Sequence, residues 1–266
     1  MNYKYLLIIS LILVSCKKKE NLPIFVIGHA GAGLEFSGSV YHGNSEEAMD
    51  YALNMPNCDG VEMDLRMAAD GTLWLSHDQT LDIETKASGC VGDKLSDELI
   101  NIQYSTLKKE KLAQLSDIEI FREGDQKLFV DVKHFNFCQN SIQDVSLFLS
   151  SLNSWRATIS NSNDRIQLII SNADWIEAFQ LAGWNVLFST DDAELRKQLS
   201  LDYPNLKGFV CKNGECSKNQ VDEIKSAGKA IYLYEVRSPK ALKQVREKNP
   251  TGVMSDDLQG AIVEFK

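Results

Sequence analysis

Short apolar runs rich in β-branched and aromatic residues alternate with polar stretches of helical period along most of the chain. The runs at 25–29, 60–65, 128–133, 166–171, 185–190, 207–212, 230–235 and 252–256 predict strands. Segments near 45–55, 95–115, 140–153, 173–182, 191–200, 217–227 and 238–247 predict helices between them. Asn44 is placed to cap the first helix, with Glu47 three residues later completing a capping box. Strand–helix alternation calls for parallel crossovers, and eight such strands in 266 residues predict an α/β fold, a (β/α)8 TIM barrel. A doubly wound open sheet would alternate similarly. However, Gly28, Gly31 and Gly33 have GxxGxG spacing and lead into the irregular stretch 34–43 instead of a helix, which argues against a dinucleotide loop.

Asp70-Gly71 interrupts this alternation between two apolar-rich runs and predicts a β-hairpin extending the second strand. A two-residue type I′ loop sets Ala69 against Thr72 and, counting outward, Asp64 against His77. Glu62 lies two residues before Asp64, so both carboxylates emerge on one face of the strand. Arg66 shares that face and becomes a candidate substrate contact.

The start of the chain reads as a leader. Lys4 precedes an almost wholly apolar run from Tyr5 to Val14, shorter than the ~20 residues a membrane-spanning helix needs. Leu13-Val14-Ser15-Cys16 resembles a bacterial lipoprotein signal, with Cys16 as the lipidated residue. The expected organisation is a signal peptide at 1–15, a lipidated tether at 16–23 carrying Lys17, Lys18 and Lys19, and one barrel domain at 24–266. The expected location is the periplasmic or cell-surface side of a bacterial membrane, held through the N-terminal lipid. A net charge of −9 argues against non-specific nucleic-acid binding, and an anionic substrate would need a local cation. No protein partner is evident. Besides Cys16 there are five cysteines, an odd number. Cys211 and Cys216 are close enough to close a small disulfide loop, while Cys90 and Cys138 form a second, subordinate candidate pair.

In a β/α barrel, chemistry belongs at the carboxyl ends of the strands. His29 ends the first predicted strand, Glu62 and Asp64 the second, and Asp131 and Lys133 the third. The hairpin returns His77 to the same rim. Three carboxylates without cysteine form a hard oxygen site, suited to one divalent cation, Ca2+ or Mg2+. Two imidazoles beside it can divide the proton transfers, and Lys133 can neutralise a phosphoryl oxygen. This set fits phosphodiester cleavage better than acyl transfer, for which no GxSxG elbow exists. Ser171, Ser189, Tyr234 and Asp256 are further rim candidates for substrate contact. His42 and His134 read as structural, and Asp78 as orienting His77.

Gly28-His29 with Gly31, Asn44-Ser45, Asp59-Gly60, Glu62, Asp64, Asp70-Gly71 and His77-Asp78 resemble the glycerophosphodiester phosphodiesterase family in order and local spacing. Asp131 and Lys133 resemble that family's later acidic-x-Lys strand, and Ile231–Tyr234 and Gly252–Asp257 resemble its last two strands. The resemblance implies a β/α barrel with Ca2+ or Mg2+ held by Glu62, Asp64 and Asp131. It implies His29 and His77 as the acid–base pair, and hydrolysis of a small glycerophosphodiester to glycerol 3-phosphate and an alcohol. Ala30 stands where the family usually has Arg, Gly43 where it has Glu, and Asp131 where it has Glu. An acid of this length and the missing Arg also resemble the barrel phospholipases D of spider venoms, implying cleavage of lysophospholipid or sphingolipid with cyclic phosphate formation. A non-catalytic binding lipoprotein on the same barrel is a third reading.

Overall fold

Eight parallel strands close on themselves in the computed structural model, which describes residues 23–34 and 38–266. The predicted leader, Cys16 and most of the tether lie outside the described residues. The barrel strands are β1 (Phe25–Gly28), β2 (Gly60–Met67), β3 (Lys127–Val132), β4 (Ile166–Ile170), β5 (Val186–Ser189), β6 (Gly208–Lys212), β7 (Ala230–Val236) and β8 (Gly252–Ser255). Each pairs with its sequence neighbours, and β1 closes the ring by pairing both β2 and β8. All eight predicted strands are present, with ends displaced by a residue or two. No helix among the described residues is long and apolar enough to cross a membrane.

Outer helices follow seven of the strands, at Glu46–Leu53, Val145–Arg156, Ile176–Leu181, Ala193–Asp202, Lys218–Ser226, Pro239–Lys248 and Leu258–Phe265. Their buried residues pack against the outside of the barrel, as Phe148, Leu152 and Trp155 do on the longest. The interior is a separate apolar layer of Ile27, Phe129, Ile169, Leu187, Val210, Tyr232 and Met254, each from a different strand. That layer plugs the barrel beneath its carboxyl-end mouth.

The second β/α unit departs from the expected pattern. The helix predicted over 95–115 shrinks to Ser96–Leu99, and the chain instead makes a long excursion over one side of the mouth. Leu99, Tyr104 and Leu112 bury against Trp74 and Leu81 there, so tertiary packing overrides a helix-like composition. Ser45 caps the first helix, its hydroxyl accepting from the Ala48 amide, and Asn44 does not. Gly43 occupies the adjacent position.

The hairpin forms with a register one residue from the predicted one. Leu65 faces Leu75, Arg66 faces Trp74 and Met67 faces Leu73, which sets Asp64 opposite Ser76, not His77. The loop holds three residues, Ala69, Asp70 and Gly71, closed by the Ala68 amide on the Thr72 carbonyl at 2.8 Å. Gly71 has φ +82, whereas Asp70 does not enter the left-handed region that a type I′ turn would demand of it. The Asp70 carboxylate accepts from the Thr72 amide and hydroxyl and from the Ser96 amide, which favours the longer loop.

The disulfide is Cys90–Cys138, not Cys211–Cys216. Cys90 lies in the excursion and Cys138 in the loop after β3, and both loops rise over the same face of the barrel. Cys211 and Cys216 are buried free thiols between barrel and helices. Cys58 is the third free thiol among the described residues. A cross-link over 48 residues restricts the unfolded chain strongly, so Cys138→Ser is expected to cost about 2–4 kcal/mol. Chemical denaturation under oxidising conditions checks this, and an unchanged midpoint would refute it.

Candidate active site

Strand alternation builds the site. In each strand the residue two places beyond the interior apolar layer points to the same inside face, one step higher. Above Ile27, Phe129, Ile169, Leu187, Val210, Tyr232 and Met254 stand His29, Asp131, Ser171, Ser189, Lys212, Tyr234 and Asp256. On β2, Glu62 is in register with Phe129 and Asp64 with Asp131. His29, Glu62, Asp64, His77, Asp131, Lys133, Ser171, Ser189 and Tyr234 all line one cavity of about 360 Å³ at the mouth. Asp256 sits beneath His29, fully buried.

Glu62, Asp64 and Asp131 offer carboxylate oxygens that all lie within 4.8 Å of one another. Three such groups in a low-dielectric pocket repel, and the protein answers with Lys133. Its Nζ lies 2.8 Å from Asp64 and 2.7 Å from Asp131. Burial would raise the Asp64 pKa, but the charge and hydrogen bond of Lys133, with the Asn44 hydrogen bond, outweigh it and hold the carboxyl low. Lys133 itself is driven up, its desolvation overcome by Asp131 and Asp64. Glu62 is pushed up to about 8 by burial and by the charge of Asp64, partly offset by His29. A set of hard oxygen donors with excess negative charge fits a divalent cation. Another group, Cys90, Asp93 and Cys138, does not, because its sulfurs are bonded to each other.

His29 is held from both sides. Its Nδ1 lies 2.8 Å from Asp256 Oδ1, and its Nε2 lies 3.8 Å from Glu62 Oε2. Burial alone would lower its pKa, but the Asp256 hydrogen bond and the Glu62 charge overturn that and raise it to about 9. The loop after β1 folds tightly over Gly28, where a Cβ would meet the Gly31 carbonyl oxygen at 1.9 Å. This turns the Ala30 amide onto Glu62 Oε2 at 2.9 Å. Across the cavity, His77 is half-exposed, and its Nδ1 pairs with Asp78 at 2.9 Å, the orienting role expected of Asp78.

Arg66 does not line the cavity. Its guanidinium donates to the carbonyls of His77 and Phe135, at 2.8 and 3.4 Å, so it secures the loop carrying His77 from behind. His42 and His134 also lie outside the cavity, stacked on Tyr104 and set edge-on to Trp175 respectively.

Sequence reasoning missed Arg237 and the contacts that Asn44 and Asp256 make. Asn44, fully buried with φ +62, donates through Nδ2 to Asp64 Oδ2 at 2.8 Å and accepts the Asp64 amide at 2.9 Å. Two cap-type residues in succession, Asn44 and Ser45, were a signal that one had another task. Asp256 was visible as a rim residue, but not as the partner of His29. Arg237, three residues past Tyr234, also lines the cavity.

Residues 29–259 match the Glycerophosphoryl diester phosphodiesterase family. The chain belongs to that family. It is accordingly a phosphodiester hydrolase on a (β/α)8 barrel. Solved structures share the fold at low identity. A phosphodiesterase of Oleispira antarctica, in complex with the product sn-glycerol-3-phosphate, is 16% identical with a TM-score of 0.76, covering 91% of this chain and 96% of its own. A glycerophosphodiester phosphodiesterase of Agrobacterium tumefaciens is 17% identical with a TM-score of 0.71, covering 90% and 99%. One from Parabacteroides distasonis is 18% identical with a TM-score of 0.67, covering 91% and 97%. No curated protein matches the chain.

The raised Glu62 pKa has a measurable consequence. Without a cation, Glu62 binds a proton more readily in the folded protein than in the unfolded chain, its pKa raised from 4.5 to about 8. Folding therefore takes up a proton between those values, and stability falls as pH rises through the window. In a chelating buffer the melting temperature of the wild type should decline more steeply from pH 5 to 8 than that of Glu62→Gln. Parallel profiles would refute the assignment.

Proposed function

We propose that this chain hydrolyses small glycerophosphodiesters to glycerol 3-phosphate and an alcohol, with one divalent cation, Ca2+ or Mg2+, held by Glu62, Asp64 and Asp131. The reading rests on one observation above the others: three acids, two imidazoles and a lysine from separate segments line a single cavity of about 360 Å³. When bound, the cation supplies Lewis-acid polarisation of the phosphoryl group and screens the negative charge of the approaching diester.

The chain's own residues divide the rest. His77, steadied by Asp78, takes a proton from the attacking water as its oxygen bonds to phosphorus. His29, kept protonated by its hydrogen bond to Asp256, gives its proton to the alcohol oxygen as the phosphorus–oxygen bond breaks. Lys133 adds positive charge beside the phosphoryl oxygens, and Ser171 and Tyr234 offer hydroxyls along the wall. Glycerophosphocholine with Ca2+ or Mg2+ should yield glycerol 3-phosphate, and chelation should stop it. His29→Ala and His77→Ala should each lower turnover by roughly 10²–10⁴-fold. Wild-type turnover by either variant would remove its assignment, and a cyclic phosphate product would transfer the mechanism to internal attack by the glycerol hydroxyl.

We further propose that residues 1–15 are removed on export, that Cys16 is acylated and that residues 16–23 tether the barrel to a membrane outside the cytoplasm. The apolar run closed by Leu13-Val14-Ser15-Cys16 supports this, and a disulfide on the catalytic face suits an oxidising compartment. Cys16→Ser should move the protein from the detergent phase to the aqueous phase; unchanged partitioning would refute the anchor.

A further inference from the structure

Binding a phosphodiester at an acidic mouth requires positive charge close to the reacting phosphorus. Ala30, the residue after His29, brings no charge and is fully buried with its amide on Glu62. Three cationic side chains line the cavity: Lys133, Lys212 and Arg237. Lys133 lies against Asp64 and Asp131. Lys212, at the end of β6, lies between Asp191 and Glu235 at 3.9 and 3.7 Å.

Arg237 reaches the cavity by a local distortion of β7. The pairing with β8 steps from Leu233 opposite Val253 to Val236 opposite Ser255, so β7 carries one extra residue. Glu235 takes up the difference at φ +57, a left-handed conformation that costs a residue with a Cβ. Tyr234, Glu235 and Arg237 consequently all line the cavity, an arrangement that a regular strand, with its alternating faces, would not give to Tyr234 and Glu235 together. Bulges of this kind re-aim side chains beside active sites. The Arg237 Nε lies 3.5 Å from Asp256 Oδ2, and the other oxygen of that carboxylate holds His29 Nδ1 at 2.8 Å. One buried carboxylate thus sets a guanidinium and an imidazole side by side at the mouth.

We propose that Arg237 binds the phosphoryl group of the substrate, directed there by the β7 bulge and by Asp256. The proposal rests on the phosphodiesterase reading above. A guanidinium carries five N–H donors, so one side chain can serve both Asp256 and a phosphoryl oxygen. With His29 on the same carboxylate, the group that holds the phosphate and the group that protonates the leaving oxygen are fixed relative to each other.

Wild type, Arg237→Gln and Arg237→Lys, each saturated with Ca2+ or Mg2+, decide the matter by calorimetric titration with inorganic phosphate and by steady-state hydrolysis of glycerophosphocholine. Arg237→Gln should lower phosphate affinity and kcat/KM about 10- to 100-fold, and Arg237→Lys should recover part of both. Arg237→Lys also keeps the test decisive if removing the charge disturbs folding, which the melting temperature reports. Unchanged phosphate affinity in a folded Arg237→Gln protein overturns the proposal. So does a loss confined to kcat, because Arg237 would then act only by positioning His29 through Asp256. If the wild type releases no glycerol 3-phosphate, the phosphodiesterase reading fails on its own, and the phosphate titration still decides whether Arg237 binds the anion.

Discussion

Burying negative charge is the constraint around which this molecule is arranged. Glu62, Asp64 and Asp131 converge where water is scarce and repulsion is weakly screened, so the fold must supply positive charge and hydrogen-bond donors nearby. It does so from four directions. Lys133 bridges two of the acids, the Ala30 amide caps Glu62, Asn44 holds Asp64, and His29 approaches from the neighbouring strand. Each donor depends on a local backbone feature: the tight turn over Gly28, the left-handed Asn44, or the end of β3. The site is therefore a property of the barrel's closure as much as of the residues in it.

Much of this arrangement could be read before any coordinates. Period-2 alternation fixes which residues share a strand face, so Glu62 with Asp64 and Asp131 with Lys133 followed from spacing alone. Alternating strands and helices then placed those faces at one mouth. What was hidden depends on contacts between distant segments. Nothing near Asp256 in the sequence says that it lies against His29, from the opposite end of the chain. Asn44 carries the same cap signature as Ser45, and only tertiary structure shows which of the two caps the helix.

The errors have a common physical origin in loops. A one-residue difference in the Asp70-Gly71 turn moves the partner of Asp64 from His77 to Ser76, because the Asp70 carboxylate favours a three-residue loop. His77 still reaches the cavity since it lies beyond the paired strand, where Arg66 grips its carbonyl. The stretch 95–115 reads as a helix but uses its apolar residues to cover Trp74. Likewise, sequence proximity favoured Cys211 with Cys216, whereas the bond joins two loops that meet only above the barrel.

The interior layer shows what this chemistry asks of the fold. Seven strands give that layer an apolar side chain, while β2 gives it Glu62 and places Asp64 one step above. Well-packed apolar residues often make a more stable core than buried ion pairs do. A barrel with hydrocarbon at these positions would be the easier molecule to fold, and gains in rigidity at this layer would come at the expense of the acidic mouth. Selection for thermal robustness alone would erode the mouth from β2 outward.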